Sequence, residues 1–365
     1  MRMRQLNIVF FTRKLFNSSK RSSLVIFLFF ISFISLAQDP NFSQFFNNPI
    51  YYNPGMTALD DGMRFRSNFR NLWGPIPSKF NTFSMSLDAQ AVGNTGLGLI
   101  AVSDNEGEGN LRTNLIGGIY SYRPIETKNL KVQVGFSTTF VHKRIDWDQL
   151  VFSDNLDQVF GNVNESNFVI PANDRIIYPD FGAGAVVKFN LGHAADKKAM
   201  VTSTIGVSFH HLTKPKDALM GIDGRLPIKS VYHATFNFLG LNNIIYSPGF
   251  IYEKQSNLET FQIGFNTVKN PIYAGFWFRN KNFSLAGKRF DSFIFNLGLI
   301  TPLNKYNRMR LCYSFDFTVS HLKTSSMGSH EIALVIEFDD KVLFEKVQSR
   351  SKNRKKERMK ECVDF

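Results

Sequence analysis

Histidines next to other polar residues are the first places in this sequence where chemistry could be sought. His210 and His211 are adjacent, and His330 directly precedes Glu331. A zinc hydrolase carries two histidines on one helix face with a glutamate between them as general base, and neither pair has that spacing. Both pairs lie in segments that alternate like β-strands, where neighbouring side chains point to opposite faces. We therefore expect each pair to be split, and we predict no metal site.

Other catalytic signatures are missing as well. Gly96 and Gly98 begin a dinucleotide-binding pattern, but its third glycine is lacking. The sequence has no Gly-x-Ser-x-Gly elbow and no Walker loop. The two cysteines, Cys312 and Cys362, are too few for a disulfide framework or a structural zinc site. The sequence thus predicts a protein that is no enzyme and that holds no cofactor.

The net charge of +13 is concentrated at the two ends of the chain. Residues 1–37 hold six Lys or Arg and no acid, and residues 341–365 hold nine bases and four acids. Only +2 remains on the 303 residues between them. A nucleic-acid-binding protein carries its excess positive charge on the folded domain. The distribution therefore predicts no nucleic-acid partner.

The N-terminal residues have the pattern of a secretory leader. Basic residues precede the apolar run Leu24–Leu36, whose 13 residues fall short of the about 20 that a membrane-spanning helix needs. Ser35 and Ala37 place small residues at the two positions that a signal peptidase reads. Residues 1–37 are therefore predicted to be a signal peptide, cleaved between Ala37 and Gln38. An uncleaved anchor helix is the alternative.

Beyond the leader, the dominant pattern is strict alternation of apolar and polar residues, which indicates β-strands. Lys131–Lys143 and Arg308–Ser320 show it clearly, and fourteen such segments occur, most of them 8 to 15 residues long. A strand that crosses a membrane needs about 9 to 11 residues, whereas strands of soluble proteins average about 5 to 6. Phe, at 38 of 365 residues, is frequent on the apolar faces.

A membrane sheet must close on itself, because an open edge would leave unpaired backbone groups in lipid. Residues 63–340 are therefore predicted to form an all-β fold, a closed transmembrane antiparallel β-barrel of about 14 strands. The two longest connections, Ile145–Pro179 and Thr213–Ile228, fall at the same end, like the external loops of outer-membrane barrels.

The predicted inward face of the barrel carries charges of both signs. Mixed charges in a narrow lumen favour ion pairs over the single-sign ring of a selective channel. The face includes Arg64, Arg66, Arg70, Asp88, Lys131, Lys188, Arg279, Arg310, Asp316, Glu331 and Glu337.

Residues 38–62 precede the first strand and are predicted to be a periplasmic or plug-like segment. Two Asn-Pro pairs five residues apart favour turns and oppose a helix. The segment is either a loop that packs against the barrel wall or a plug or rim that partners contact. The second hypothesis assigns this role to Phe42, Phe45, Asn48, Pro49, Asn53 and Pro54.

In its order of motifs the sequence resembles the PorP/SprF family of the type IX secretion system of Bacteroidota. Gln38–Pro54 is similar to the start of the mature family, a Gln-Asp-Pro-x-Phe-Ser-Gln-aromatic run followed by two Asn-Pro pairs. Other similar stretches follow in order up to the last strand. They are Arg70 with Trp73 and Pro77, Ser86–Asp88, Asp104–Gly107, Ile145–Asp148, Leu150–Asp154, His211–Pro215, Tyr313–Asp316 and Gly328–Ile332.

The resemblance implies a non-catalytic barrel in the outer membrane of a Gram-negative cell. It also implies two protein partners: a secreted surface protein, often an adhesin, with a type B C-terminal sorting domain, and the large outer-membrane translocon barrel. A link to gliding motility is implied as well. We expect the loop Ile145–Pro179 to bind the secreted partner through Trp147, Leu150, Phe152 and Phe160, because aromatic residues dominate binding hot spots. Alternatively, these residues fold the loop back over the lumen.

The basic tail, residues 341–365, is predicted to lie in the periplasm. It is either solvated or a docking segment for periplasmic secretion components. Its end, Cys362–Phe365, lacks the proline found in similar family tails. Outer-membrane lipid is the remaining expected partner. The alternative function is an outer-membrane diffusion channel or specific porin, which a polar lumen would also fit.

Overall fold

The computed structural model describes residues 39–338, apart from residues 61, 74–79, 108–110, 148–149, 158, 171–173, 192–200, 218, 220–223, 282–289, 305 and 320–327. The predicted signal peptide and the basic tail with Cys362 lie outside the described residues. Within the described ranges, no helix is long and apolar enough to cross a membrane.

Strands make up most of the described chain. They are β1 Met63–Leu72, β2 Phe80–Gln90, β3 Thr95–Glu106, β4 Leu111–Glu126, β5 Leu130–Arg144, β6 Leu156–Asp157, β7 Gly161–Asn162, β8 Arg175–Leu191, β9 Val201–His210, β10 Lys229–Leu239, β11 Ile245–Gln255, β12 Leu258–Lys269, β13 Ile272–Lys281, β14 Phe290–Pro302, β15 Asn307–Thr318 and β16 Ser329–Phe338.

Fourteen of these strands form one closed antiparallel barrel, and β6 and β7 form a separate two-stranded hairpin. The barrel closes where β1 pairs with β16, from Met63 opposite Phe338 to Leu72 opposite Ser329. The predicted fold class and strand number are therefore confirmed. We call the end that carries residues 145–174 and 211–228 the outer end, and the other the inner end.

The strand β8 begins at Arg175, earlier than the sequence pattern predicts. The predicted connection ends at Pro179, which has no N–H for a ladder hydrogen bond. In the structure Pro179 lies in the ladder opposite Phe140. The outer loop is correspondingly shorter and spans residues 145–174.

Short helical turns lie in the segment that precedes β1. They are a 3₁₀ turn at Phe45–Asn47, the helix α1 at Pro49–Tyr52 and a second 3₁₀ turn at Pro54–Met56. Each Asn-Pro pair puts its proline at the first helical position, where the missing N–H costs nothing. A further 3₁₀ turn, Leu241–Asn243, links β10 to β11.

Alternation along the strands sends apolar side chains outward and polar ones into the lumen. The charges predicted to face inward are all buried, except for Lys131, which is half-buried. Many of them are paired, as in the contact between Arg66 and Asp88 and the contact of Arg70 with Asp316 at 3.0 Å. The lumen therefore balances its charges internally.

Candidate functional site

The N-terminal segment, residues 40–60, lies inside the barrel and contacts its wall on opposite sides. Ser43 N donates to Glu331 Oε2 of β16 at 2.6 Å, while Asn53 Nδ2 donates to the Val207 carbonyl of β9 at 3.3 Å. In the ring of fourteen, six strands lie between β16 and β9 on either side. We call residues 40–60 the plug.

Buried charges hold the outer part of the plug at Ser43. Its hydroxyl donates to Asp316 Oδ2 at 2.6 Å and accepts from Arg279 Nη2 at 2.7 Å. Arg279 and Arg70 also pair with Asp316, at 2.9 and 3.0 Å. Buried charges are tolerated when they are paired and hydrogen-bonded. Ser43 thus binds two wall carboxylates, Asp316 through its hydroxyl and Glu331 through its backbone N–H.

Aromatic packing secures the next residues. The Phe45 ring meets Trp277 edge to face with centroids 5.2 Å apart, and Phe46 stacks on the same indole at 5.7 Å. These residues belong to one buried cluster with Phe42 and Tyr52. Offset and edge-to-face pairs of this kind add about 0.5–1.5 kcal/mol each beyond the area they bury.

Glycines in the barrel wall let the middle of the plug lie directly against the backbone of the wall strands. A Cβ at Gly135 of β5 would overlap the Pro54 carbonyl, and one at Gly184 of β8 would overlap Asn53 Oδ1. Gly135 and Gly184 are cross-strand partners, so they form one flat patch. Asn53 lies on this patch, with Nδ2 3.0 Å from His233 Nε2.

Backbone carbonyls and one carboxylate anchor the inner end of the plug. Arg123 Nη2 donates to the carbonyls of Ala58 and Leu59 at 2.7 and 2.8 Å. Lys188 Nζ lies 2.6 Å from Asp60 Oδ1. Burial alone raises the pKa of Asp60, but Lys188 and then Arg64 outweigh it and hold this pKa well below its ordinary value. Asp60 is therefore a carboxylate at neutral pH.

The plug runs through the lumen from the outer end to the inner end. Asn41 Nδ2 donates to Glu253 Oε1 at 3.0 Å, and the Asn41 carbonyl accepts from Arg70 Nη1. Glu253 and Arg70 lie within two residues of the outer ends of β11 and β1. The chain then descends to Asp60 and enters β1 at Met63.

A second segment covers part of the outer opening. Asp217 in the connection 211–228 accepts from Lys143 Nζ of β5 at 2.7 Å. Leu226 packs in a buried cluster with Val141 and Tyr178, on the faces of β5 and β8 that point into the lumen. This connection therefore folds inward over the lumen.

The outer loop, residues 145–174, folds around three stacked rings. Phe168 stacks on Phe152 with centroids 4.5 Å apart and on Trp147 at 5.5 Å. The short hairpin β6–β7 projects from this stack. Its turn is held by Asp157 Oδ1, which accepts from Phe160 N at 2.9 Å.

The structure separates the four predicted anchor residues of this loop. Trp147, Leu150 and Phe152 are half-buried, and two of them form the loop's own aromatic core. Phe160 is 77% exposed at the tip of the hairpin. Sequence reasoning weighted aromatic residues and missed exposed aliphatic side chains, namely Val151, Leu156, Val159, Val163, Val169 and Ile170. A high share of β-branched residues in a loop was the available signal.

The expectation for His210 and His211 is wrong, whereas that for His330 and Glu331 holds. His210 Nε2 lies 2.9 Å from the Tyr52 carbonyl, and His211 Nδ1 lies 3.0 Å from Asp180 Oδ2. Both imidazoles face inward because β9 ends at His210 and His211 has a positive φ of 58°. The alternation of a strand therefore stops between them.

His330 points outward and lies 2.7 Å from the Tyr313 hydroxyl, while Glu331 is buried in the lumen. Across the described residues, no group of three or more His, Cys, Asp or Glu side chains could hold a metal ion. Cys312 is a buried free thiol.

The six residues of the predicted plug or rim motif lie within the plug. Phe42, Phe45, Asn48, Asn53 and Pro54 are buried, and Pro49 is half-buried. A partner cannot touch the buried side chains while the plug occupies the lumen. That these residues contact a partner therefore stays a prediction.

The sequence model of the type IX secretion system membrane proteins PorP/SprF matches residues 34–336. The chain belongs to the PorP/SprF family. The resemblance carried by the Gln38–Pro54 run and the later motifs is thereby confirmed, and so is a location in the outer membrane. The family and the barrel fold indicate a role without catalysis.

Among curated proteins, none has a sequence that matches this chain. Solved outer-membrane barrels are similar in fold. A Pseudomonas aeruginosa FadL homologue is 11% identical with a TM-score of 0.44, covering 80% of this chain and 94% of its own. The Pseudomonas putida toluene transporter TodX is 9% identical with a TM-score of 0.37, covering 80% and 92%. The translocator domain of the autotransporter NalP from Neisseria meningitidis is 12% identical with a TM-score of 0.33, covering 76% and 88%.

Proposed function

We propose that this PorP/SprF protein binds one secreted surface protein through its outer loop and supports its export and display. The partner would be an adhesin-like protein with a type B C-terminal sorting domain, delivered by the large translocon barrel. A link to gliding motility and contacts of the basic tail with periplasmic components belong to the same proposal. The resemblance to the family motivates these partners, and the outer loop supplies the surface.

The exposed apolar surface of the outer loop carries this proposal. Val159, Phe160 and Val169 are 80%, 77% and 84% exposed. Apolar side chains crowded on a loop outside the membrane mark an interaction site, because water alone would favour burying them. The stack of Phe152 on Phe168 gives the hairpin a rigid base, which lowers the entropy cost of binding.

The filled lumen favours this function over a diffusion channel. The plug crosses the barrel from Asn41 to Asp60, and the connection 211–228 covers part of its outer opening. A solute would have to displace buried ion pairs in order to pass. The channel hypothesis requires that these elements move, and single-channel recordings on the purified protein test it.

The decisive experiment combines three substitutions, Val159→Ser, Phe160→Ser and Val169→Ser, in the chromosomal gene. We expect normal barrel insertion and an at least tenfold loss of the partner from the cell surface, measured by antibody labelling of whole cells. The matched control is Val92→Ser with Leu303→Ser, which removes exposed apolar side chains from turns at the inner end.

Display that persists in the triple variant, together with a pull-down that still recovers the secreted protein, would contradict the role of the loop. Deleting residues 154–173 extends the test to the whole hairpin. Affinity purification from solubilised outer membranes with mass spectrometry then names the partner.

A further inference from the structure

Three arginines form a row across neighbouring strands at the outer rim of the barrel. Arg112 of β4 pairs in register with Arg144 of β5, which pairs with Arg175 of β8. Neighbouring strands lie about 4.8 Å apart, so the row spans about 10 Å. Like charges directly opposite each other destabilise a sheet. An anion bound along the row would therefore stabilise this rim.

The row lies on the outward face of the barrel. Arg112 shares its strand face with Ile116, Arg144 shares its face with Phe140, and Arg175 lies two residues from Ile177 in β8. These three apolar residues are 66%, 57% and 70% exposed, as expected for side chains that contact lipid. The guanidinium groups therefore mark the level where hydrocarbon gives way to headgroups.

A groove of about 320 Å³ lies immediately below the row, toward the middle of the membrane. This is about ten times the ~30 Å³ that a water molecule takes up in the liquid. Large apolar residues form its sides, and small or polar residues form its floor, where Ser103 Oγ donates to Asn114 Oδ1 at 2.8 Å. The lining includes Phe83, Ala101, Ile116, Phe140, His142 and Ile177.

We propose that this groove and the arginine row bind one phosphorylated lipid A molecule of the outer leaflet. An acyl chain fills the groove, the Asn114 amide and His142 meet the amide and ester groups at its head, and the arginines bind the phosphate. Arginine suits this task because its planar group binds phosphate in a bidentate manner.

The charge of the arginine row and the position of the groove indicate the class of ligand. Arg175 has an ion pair with Asp174 at 3.5 Å, but its side chain is 73% exposed, so water screens this pair and a phosphate can replace it. The groove opens onto the membrane-facing wall, where its occupant must supply hydrocarbon. Both requirements are met by a lipid with a phosphate at the outer surface. The proposal rests on the location in the outer membrane and not on the secretion role.

The test uses the purified full-length barrel, stripped of lipid in detergent and titrated with monophosphoryl lipid A under native mass spectrometry. Arg112→Gln, Arg144→Gln and Arg175→Gln together should weaken binding on the order of 100-fold, at about 1 kcal/mol for each cation. Ser103→Phe fills the groove from a lipid-facing position, so it should weaken binding without unfolding the barrel.

The matched control is Lys254→Gln with Lys281→Gln, which removes two exposed cations near the outer ends of β11 and β13. It should bind lipid A like the natural protein. Three results would overturn the proposal: equal binding by the arginine variant, equal loss in the lysine control, or phosphatidylglycerol binding as tightly as lipid A. Dephosphorylated lipid A should bind as weakly as the arginine variant binds the phosphorylated form.

Discussion

Arg279 of β13 donates a 2.7 Å hydrogen bond to the hydroxyl of Ser43, and through this contact the barrel wall holds the plug. The same guanidinium pairs with Asp316 at 2.9 Å, and Asp316 accepts from Ser43 at 2.6 Å. The three groups form a closed triangle in which every member binds the other two. Plug and wall therefore share one buried polar cluster, in which Asp316 also pairs with Arg70 at 3.0 Å.

Asp316→Ala should destabilise the barrel strongly. It leaves Arg70 and Arg279 buried without their carboxylate, which typically costs about 3–5 kcal/mol. The free energy of unfolding can be measured by urea titration of the protein refolded in lipid vesicles. Asp291→Ala is the control, because Asp291 pairs at 3.5 Å with Lys281, whose side chain is 53% exposed. It should cost at most about 1 kcal/mol.

Gly135→Ala should loosen the plug while the barrel stays folded. The new methyl group would overlap the Pro54 carbonyl, a backbone atom that cannot rotate away. The turn at Asn53–Gly55 must then lift off the wall, and planar-bilayer recordings should show openings that the natural protein lacks. Gly118→Ala is the control, since a Cβ there would meet open space. Openings at the same frequency in both variants would contradict the close approach.

The barrel could be predicted from the sequence because its signal is local. Alternation along Lys131–Lys143 is enough to identify β5 and to choose its inward face, and the structure places that strand at Leu130–Arg144. Closure then follows from the requirement that no sheet edge lies in lipid.

The path of the plug could not be predicted, because its contacts are distant in sequence. Ser43 binds Glu331, 288 residues away, and no local pattern encodes that partner. The hairpin β6–β7 was missed since each strand has only two residues, too few to show alternation.

The tip of the outer loop should lose its structure in acid. The amide of Asn167 lowers the pKa of Asp154, and the amide of Phe160 lowers the pKa of Asp157. A lowered pKa means that the folded loop favours the carboxylates. This stabilisation is complete above the ordinary Asp value of about 3.9 and is lost as the pH falls through the lowered values.

Backbone amide shifts of Phe160 and Asn167, followed by NMR from pH 7 to pH 2, check this prediction. Their transitions should have midpoints below about 3.9. Asp157→Asn should abolish the transition at Phe160 and leave that at Asn167 unchanged, because the two aspartates bind separate amides. Midpoints at or above the ordinary value would show that these hydrogen bonds do not form in solution.

Deleting residues 40–57 should convert the plugged barrel into a conducting pore. The deletion removes the plug's side of the aromatic cluster around Phe45 and the contacts of Ser43 and Asn53. It retains the inner anchor at Ala58–Asp60. Water would then enter past the wall charges, and stable single-channel currents should appear. If the deletion variant stays closed although it folds, wall side chains or the connection 211–228 seal the lumen without the plug. We also expect the conducting variant to display the partner, because the proposed binding surface lies on the outer loop and not in the lumen. Such a result would show that closing the lumen and binding the partner depend on different elements.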